Sequence, residues 1–246
     1  MILAAGLGTR LRPLTNDRPK ALVEIAGRTL LEITLTRLRT FGVEEVIVNT
    51  HHFADLMADY LKSHHNFGMT IEISPEEDLL DTGGGLKKAA PFFLNSANPD
   101  QPFLLHNVDI ISTVDLAAMI RFHRAQRALA TLAVMDRETS RHLLFDEQGQ
   151  LCGRRKKGPD KNVDEIAKPA PSLQPLAFSG IHVLSPRIFA KVEEQGAFSI
   201  IDAYLRLAAQ GEKIVAYRVD GSYWRDLGKP ASLEQAAIDL AAGKFS

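Results

Sequence analysis

The residues best placed for chemistry sit at the start of the chain. Leu3-Ala4-Ala5-Gly6-Leu7-Gly8-Thr9-Arg10-Leu11-Arg12-Pro13-Leu14-Thr15 runs on to Pro19-Lys20. A short apolar strand thus feeds a two-glycine turn, and four cations follow: Arg10, Arg12, Arg18 and Lys20. Glycines bring backbone N–H groups close to a ligand, and fixed positive charge beside them suits a polyphosphate. Arg10 is expected to pair with the outer phosphates, and Lys20 to offset charge at the reacting phosphoryl group. The loop has no Gly-Lys-Ser/Thr, so it is not a Walker A loop. Thr9-Arg10-Leu11 also stands where a dinucleotide fingerprint needs its third glycine.

A second candidate is Asp109 in Asn107-Val108-Asp109, directly after the apolar run at 103–106. A carboxylate at the C-terminal end of a strand can hold Mg²⁺, which prefers hard oxygen ligands. The same Asp equally suits a loop cap. Thr82-Gly83-Gly84-Gly85 offers exposed backbone against which a nucleobase could lie. His51-His52 and His64-His65 lack the spacing of a ligand set and read as surface residues. No Gly-x-Ser-x-Gly elbow or His-Glu-x-x-His pair supports a hydrolase.

These groups must be positioned by 246 residues, a length that favours one large α/β domain. With 45% hydrophobic and 24% charged residues, composition is that of an ordinary globular protein. A net charge of −1 lacks the basicity of nucleic-acid binders and makes the cationic loop a local feature. The single Cys152 excludes an internal disulfide and a thiolate zinc site, and a reducing cytoplasm fits. No run reaches the ~20 apolar residues of a membrane helix. The leading strand is short, so a residue or two is expected to precede it in a longer N-terminus.

Periodicity predicts strands at 1–4, 45–49, 70–74, 103–106 and 130–135, and helices at 29–40, 53–64, 83–90 (stopped by Pro91) and 114–125. This alternation implies a Rossmann-like α/β fold: a mixed, mainly parallel sheet flanked by helices. Ligands then bind at the carboxyl ends of the strands, so the glycine loop and Asp109 should share a crevice. Beyond 135, a hairpin at 143–152 and a surface excursion over 154–176 are expected. Further on come a strand at 178–184, helices near 186–194 and 200–209, a strand at 214–219 and a closing helix near 229–242.

The opening string strongly resembles the signature loop of the sugar-1-phosphate nucleotidyltransferases. So do Thr82-Gly83-Gly84-Gly85, Asn107-Val108-Asp109, Phe178-Ser179-Gly180-Ile181 and Trp224-Arg225-Asp226-Leu227-Gly228, so the likeness covers nearly the whole chain. It implies one domain over 1–246, binding nucleotide through about 1–110 and sugar phosphate through about 111–246. The implied nucleotide contacts are Leu3, Ala4, Ala5, Gly6, Gly8, Thr9, Glu76, Gly83, Gly84 and Asn107. Ser179 and Gly180 would line the sugar pocket, and Lys168 is a weaker phosphate-contact candidate. Asp226 would join Asp109 as the second Mg²⁺ ligand, with Arg10 and Lys20 as catalytic cations. The sequence departs from the family at Val108, where glycine is usual, which raises the prospect of a reshaped turn.

The implied reaction joins a nucleoside triphosphate to a sugar 1-phosphate and releases pyrophosphate. Likeness is greater to members using UTP and N-acetylmuramate 1-phosphate than to mannose-1-phosphate guanylyltransferases, which remain the alternative. A carboxylate at Glu76 only accepts hydrogen bonds, so edge chemistry alone favours guanine with its two adjacent donors; the resemblance implies Glu in both subfamilies, which leaves uracil and guanine both open. A non-catalytic nucleotide-sugar sensor would have lost Lys20 or an aspartate, and all three are present. Transfer to phosphocholine would need an aromatic, acidic cation pocket, and none is evident. Oligomeric state, monomer or homodimer, stays open.

Overall fold

A computed structural model of the chain describes every residue except 97, 159, 160 and 246. Its first half alternates strand and helix. β1 (Ile2–Leu3) leads into the glycine loop, and a small ribbon of β2 (Glu24–Ile25) and β3 (Arg28–Thr29) precedes α1 (Leu30–Thr40). Thr29 caps α1, its side chain accepting from the Glu32 N–H at 3.0 Å. Then come β4 (Glu45–Thr50), α2 (Ala54–Ser63), β5 (Thr70–Pro75), α3 (Asp81–Lys88), α4 (Ala90–Leu94) and β6 (Phe103–Asn107). The second half holds β7 (Ile110–Ser112), α5 (Leu116–Gln126), β8 (Ala130–Met135), β9 (Arg141–Phe145), β10 (Leu151–Lys157), β11 (Asn162–Ile166) and the long β12 (Gln174–Leu184). It ends with α6 (Ile200–Ala209), β13 (Ile214–Arg218), β14 (Trp224–Asp226) and α7 (Pro230–Ala241).

The central sheet is mixed. β5, β4, β1 and β6 lie side by side and parallel, with Ile2 in register with Val48 on one side and His106 on the other. β12 continues the sheet antiparallel to β6 and then pairs with both β8 and β9. β1 therefore sits between β4 and β6, with later strands on both sides of it. Such a reversal of strand order opens a crevice at the strands' carboxyl ends. The glycine loop leaves β1 there, and Asn107-Val108-Asp109 ends β6 beside it.

Both faces of the sheet are covered, so its inner strands are apolar throughout. Val46 and Val48 face one core and Ile47 the other, as pleating requires. The first core takes buried residues of α1, α2, α5 and α7. The second takes Leu86 of α3, Phe93 of α4, and Ile200, Tyr204 and Leu207 of α6.

Three expectations need correction. Residues 154–176 are not an irregular excursion: β10 and β11 extend the sheet, although 159 and 160 lie outside the described residues. The cationic run of β10 meets acidic partners on β11. Arg155 pairs bidentately with Asp164 at 2.7 Å, and Arg154 Nε lies 2.7 Å from Glu165. Pro91 does not stop a helix at 90 but sits in the first turn of α4, where no N–H donor is required. Near 186–194 only Pro186–Ala190 winds, as a 3-10 turn closed by the Ile188 N–H on Ser185 O and the Lys191 N–H on Ile188 O.

Candidate active site

The crevice holds a cleft of about 410 Å³ lined by Leu3, Ala4, Ala5, Gly6, Lys20, Asn49, Leu79, Asp81, Thr82, Asn107, Val108, Asp109 and Ala197. The two loop glycines do different work. No protein atom lies within 4 Å of where a Cβ on Gly6 would sit, so its backbone is open to a ligand. Gly8 has φ +64°, and a Cβ there would lie 2.9 Å from Thr15 Cγ2 and 3.2 Å from Lys20 Cβ. Thr15 closes the loop by donating to Gly8 O at 2.9 Å. The glycine, Thr15 and Lys20 thus form one packed unit, and Lys20 is delivered to the cleft wall by a single 3-10 turn. Thr9 and Arg10 sit on the exposed turn above it.

Lys20 Nζ forms an ion pair with Asp109, both side chains largely buried at 10% and 19% exposure. Asp226 reaches the same place through the short β7–β14 ladder: it stands opposite Ile110, and the Leu227 N–H donates to Asp109 O at 2.8 Å. The two carboxylates, far apart in sequence, therefore come from adjoining positions of one ribbon. The Gly228 N–H donates to Asp226 at 2.6 Å and holds it in place. The Arg10 guanidinium lies against Gly228, leaving no room for a Cβ there. Lys20 thus meets Asp109, and Arg10 meets Asp226 beside Gly228, with the Leu227–Asp109 backbone bond joining the two pairs. Val108 needs no left-handed backbone in this turn: its φ is not positive, its side chain is buried in the core, and its N–H donates to Leu3 O at 3.1 Å.

Glu76 is placed differently from the expectation. It is buried at 4% exposure, and both oxygens are taken by protein. Asn49 Nδ2 donates to one at 2.7 Å and the Leu80 N–H to the other at 2.9 Å. Asn49 Oδ1 accepts from the Ala4 N–H at 2.7 Å. This chain of bonds ties the end of β1 to β4, β5 and the start of α3, so Glu76 supports the cleft from behind rather than facing a base. The glycines of α3 have a packing role too. A Cβ on Gly83 would run into the Phe198 ring, and one on Gly84 into Gly196 O. Thr82 and Asp81 line the cleft instead.

Ser179 is fully buried, and its Oγ has no partner, so its side chain does not face a sugar. Its carbonyl accepts from Trp224 Nε1 at 2.8 Å. Gly180 has φ +75°, and its missing Cβ is space occupied by Ile110 and Asn107. This glycine lets β12 press against the Asn107 wall of the cleft. Lys168 lies away from the cleft, 3.4 Å from Gln150 Oε1. His51 engages Glu76 O at 2.9 Å, and His52, His64 and His65 are exposed.

Residues 1–243 match the family model described as nucleotidyl transferase. The chain belongs to that family. It is 35% identical to an N-acetylmuramate alpha-1-phosphate uridylyltransferase of Caulobacter vibrioides, over 98% of this chain and 96% of that one. It is 30% identical to a mannose-1-phosphate guanylyltransferase of Mycobacterium tuberculosis, over 99% of this chain but 64% of the longer relative. A solved UDP-glucose pyrophosphorylase, complexed with UDP-glucose, shares the fold at a TM-score of 0.75 and 20% identity, covering 98% of this chain and 97% of that one.

Among the described residues no group of three or more His, Cys, Asp and Glu could hold a metal. Two carboxylates alone still fit Mg²⁺, which keeps several waters and takes one or two carboxylates plus substrate phosphates. Asp109 in the cleft wall and Asp226 beside it on the β7–β14 ribbon are the two residues that would hold it. Three functional supports escaped the sequence. Asn49 is a lone amide at the end of an apolar strand, a signal that was available. Asp239 of α7 gathers Tyr223, Arg225 and Lys244 at 2.8–2.9 Å and so holds β14. Arg137 stacks on Trp224 at 4.0 Å.

Proposed function

We propose that this nucleotidyltransferase moves the uridylyl group of UTP to N-acetylmuramate 1-phosphate, with Mg²⁺, and releases pyrophosphate. The reading is carried by the meeting of the β1 loop, Lys20 and the Asp109–Asp226 ribbon at one crevice. The full-length likeness to the Caulobacter enzyme supports the choice of base and sugar.

A phosphate oxygen of the sugar 1-phosphate attacks the α-phosphorus in line. The new O–P bond forms as the bond to the β-phosphate oxygen breaks, and pyrophosphate departs with the electron pair. A phosphate monoester is largely dianionic near pH 7, its second pKa being about 6, so no general base is required. The obstacle is repulsion between polyanions, and the protein answers it with position and fixed charge. Lys20 offsets charge at the α-phosphate, Arg10 steadies the outgoing pyrophosphate, and the open backbone at Gly6 receives phosphate oxygens. Mg²⁺ held by Asp109 and Asp226 would supply further neutralisation of the two phosphates.

The test is a matrix of four nucleoside triphosphates against several sugar 1-phosphates, scored by pyrophosphate release. UTP with N-acetylmuramate 1-phosphate is expected to give the highest kcat/KM. Activity only with GTP and mannose 1-phosphate overturns the substrate choice. No activity in any well overturns the transfer reaction itself.

A further inference from the structure

A second hollow, of about 580 Å³, lies against the outer part of β12. Its wall carries Arg137, Arg141, Arg154, Arg155 and Lys156 against a single carboxylate, Asp202. Most of these cations are already balanced: Arg154 pairs with Glu165 and Asp202, Arg155 with Asp164, and Lys156 with Glu165 at 3.9 Å. Arg137 and Arg141 differ, having no carboxylate within ion-pair distance among the described residues. Arg137 is held by neutral groups. It donates to Phe178 O at 2.9 Å, lies 4.0 Å over the Trp224 ring, and keeps its Nε buried without a partner. A half-buried guanidinium braced by an aromatic face, with donor capacity unspent, is prepared for an anion.

Its position says which anion. Phe178 belongs to the wall of this hollow, and Gly180 presses on Asn107 in the wall of the catalytic cleft. Only Ser179 lies between Phe178 and Gly180, so the walls are two steps of strand apart, roughly 7 Å at about 3.3 Å per residue. Trp224, beneath Arg137, is two residues from Asp226 on β14. A sugar whose 1-phosphate lies at Asp109 and Asp226 therefore extends toward Arg137. We infer that this hollow receives the carboxylate of an acidic sugar 1-phosphate, with Arg137 and Arg141 as its specificity-determining groups. The inference rests on the proposed transfer to a sugar 1-phosphate. It deepens that reading by making a negative charge on the sugar, rather than the ring alone, the feature selected.

The experiment compares three acceptors with UTP: N-acetylmuramate 1-phosphate, the methyl ester of its lactyl carboxylate, and N-acetylglucosamine 1-phosphate, which lacks the lactyl group. Wild-type enzyme is expected to favour the free acid over both neutral acceptors. A hydrogen-bonded contact to a charged group corresponds to a change of about ten- to hundredfold. Arg137→Gln and Arg141→Gln should each erode that preference through KM for the acid, and Arg141→Lys should restore part of it. Equal kcat/KM for acid and ester in wild type overturns the inference while the transfer reaction stands. An equal fall for all three acceptors in both Gln variants also overturns it, because the arginines then serve the fold. No transfer to any acceptor removes the proposed function and the inference together.

Discussion

Glu76→Gln separates a support for the cleft from a reader of the base. The carboxylate accepts twice, from Asn49 Nδ2 and from the Leu80 N–H, at 2.7 and 2.9 Å. Glutamine has one acceptor and one NH₂ donor at these positions. One of the two bonds therefore becomes a donor facing a donor. Turning the Asn49 amide would not help, because its oxygen accepts from the Ala4 N–H and a rotated NH₂ would face that donor instead. The network has no water-facing side, since Glu76 is 4% and Asn49 2% exposed. A buried donor left unmatched costs about 1–3 kcal/mol. At about 2–4 °C per kcal/mol for a domain of this size, Tm should fall by roughly 2–12 °C. Differential scanning calorimetry reads the Tm, and steady-state kinetics read the KM for UTP. Tm is expected to fall with the ratio of UTP to GTP turnover unchanged. An unaltered Tm with a changed nucleotide preference would refute the reasoning and return Glu76 to the base.

Lys20→Ala and Asp109→Ala should each lower kcat by roughly a hundredfold or more, the scale of one lost electrostatic contact; near-normal pyrophosphate release by Asp109→Ala removes it from the site. Gly8→Ala places a methyl 2.9 Å from Thr15 Cγ2 at φ +64°, a left-handed conformation that disfavours alanine by about 1–2 kcal/mol. Its kcat should fall through displacement of Lys20, and a fully active variant with wild-type Tm argues against the packed loop. Burial lowers His106 to about 4 and His182 to about 3. The unfolded chain therefore protonates first as pH drops through about 6.5, and stability is full above that pH and lost toward pH 4. Each histidine should cost about 2 kcal/mol at pH 5. Urea unfolding at pH 7.5 and 5.0 measures the loss, which His182→Gln should reduce; a slope unchanged by that substitution contradicts the assignment.

Local patterning was enough for the parallel half of the fold. The apolar runs at β1, β4 and β6 and the helical spacing of α1 and α2 each report on neighbours close in sequence, and the glycine loop carries its own chemistry. What local pattern cannot report is a partner defined by long-range pairing. Arg154 to Lys157 look like a solvated charge run until Asp164 and Glu165 fold back across them, so the hairpin expected at 143–152 caught only the start of β10, and β11 was missed. Glu76 shows the opposite case: the resemblance implied a ligand contact, while its partners Asn49 and Leu80 are fixed only when β4, β5 and α3 meet.

Val108 makes the same point about the site itself. Glycine at that position invites the idea that the turn demands its conformational freedom. Yet valine stands there with no positive φ, its side chain in the core and its N–H on Leu3. The placement of Asp109 depends instead on the β6–β1 pairing on one side and the bond from Leu227 on the other. The carboxylate pair is thus positioned by two strand ladders rather than by the turn. Substitution at Val108 should accordingly be felt as core packing, and breaking the β7–β14 ribbon as loss of Asp226 from the cleft. The buried Asp239 is the lever for the second, because it holds Tyr223 and Arg225 on either side of Trp224.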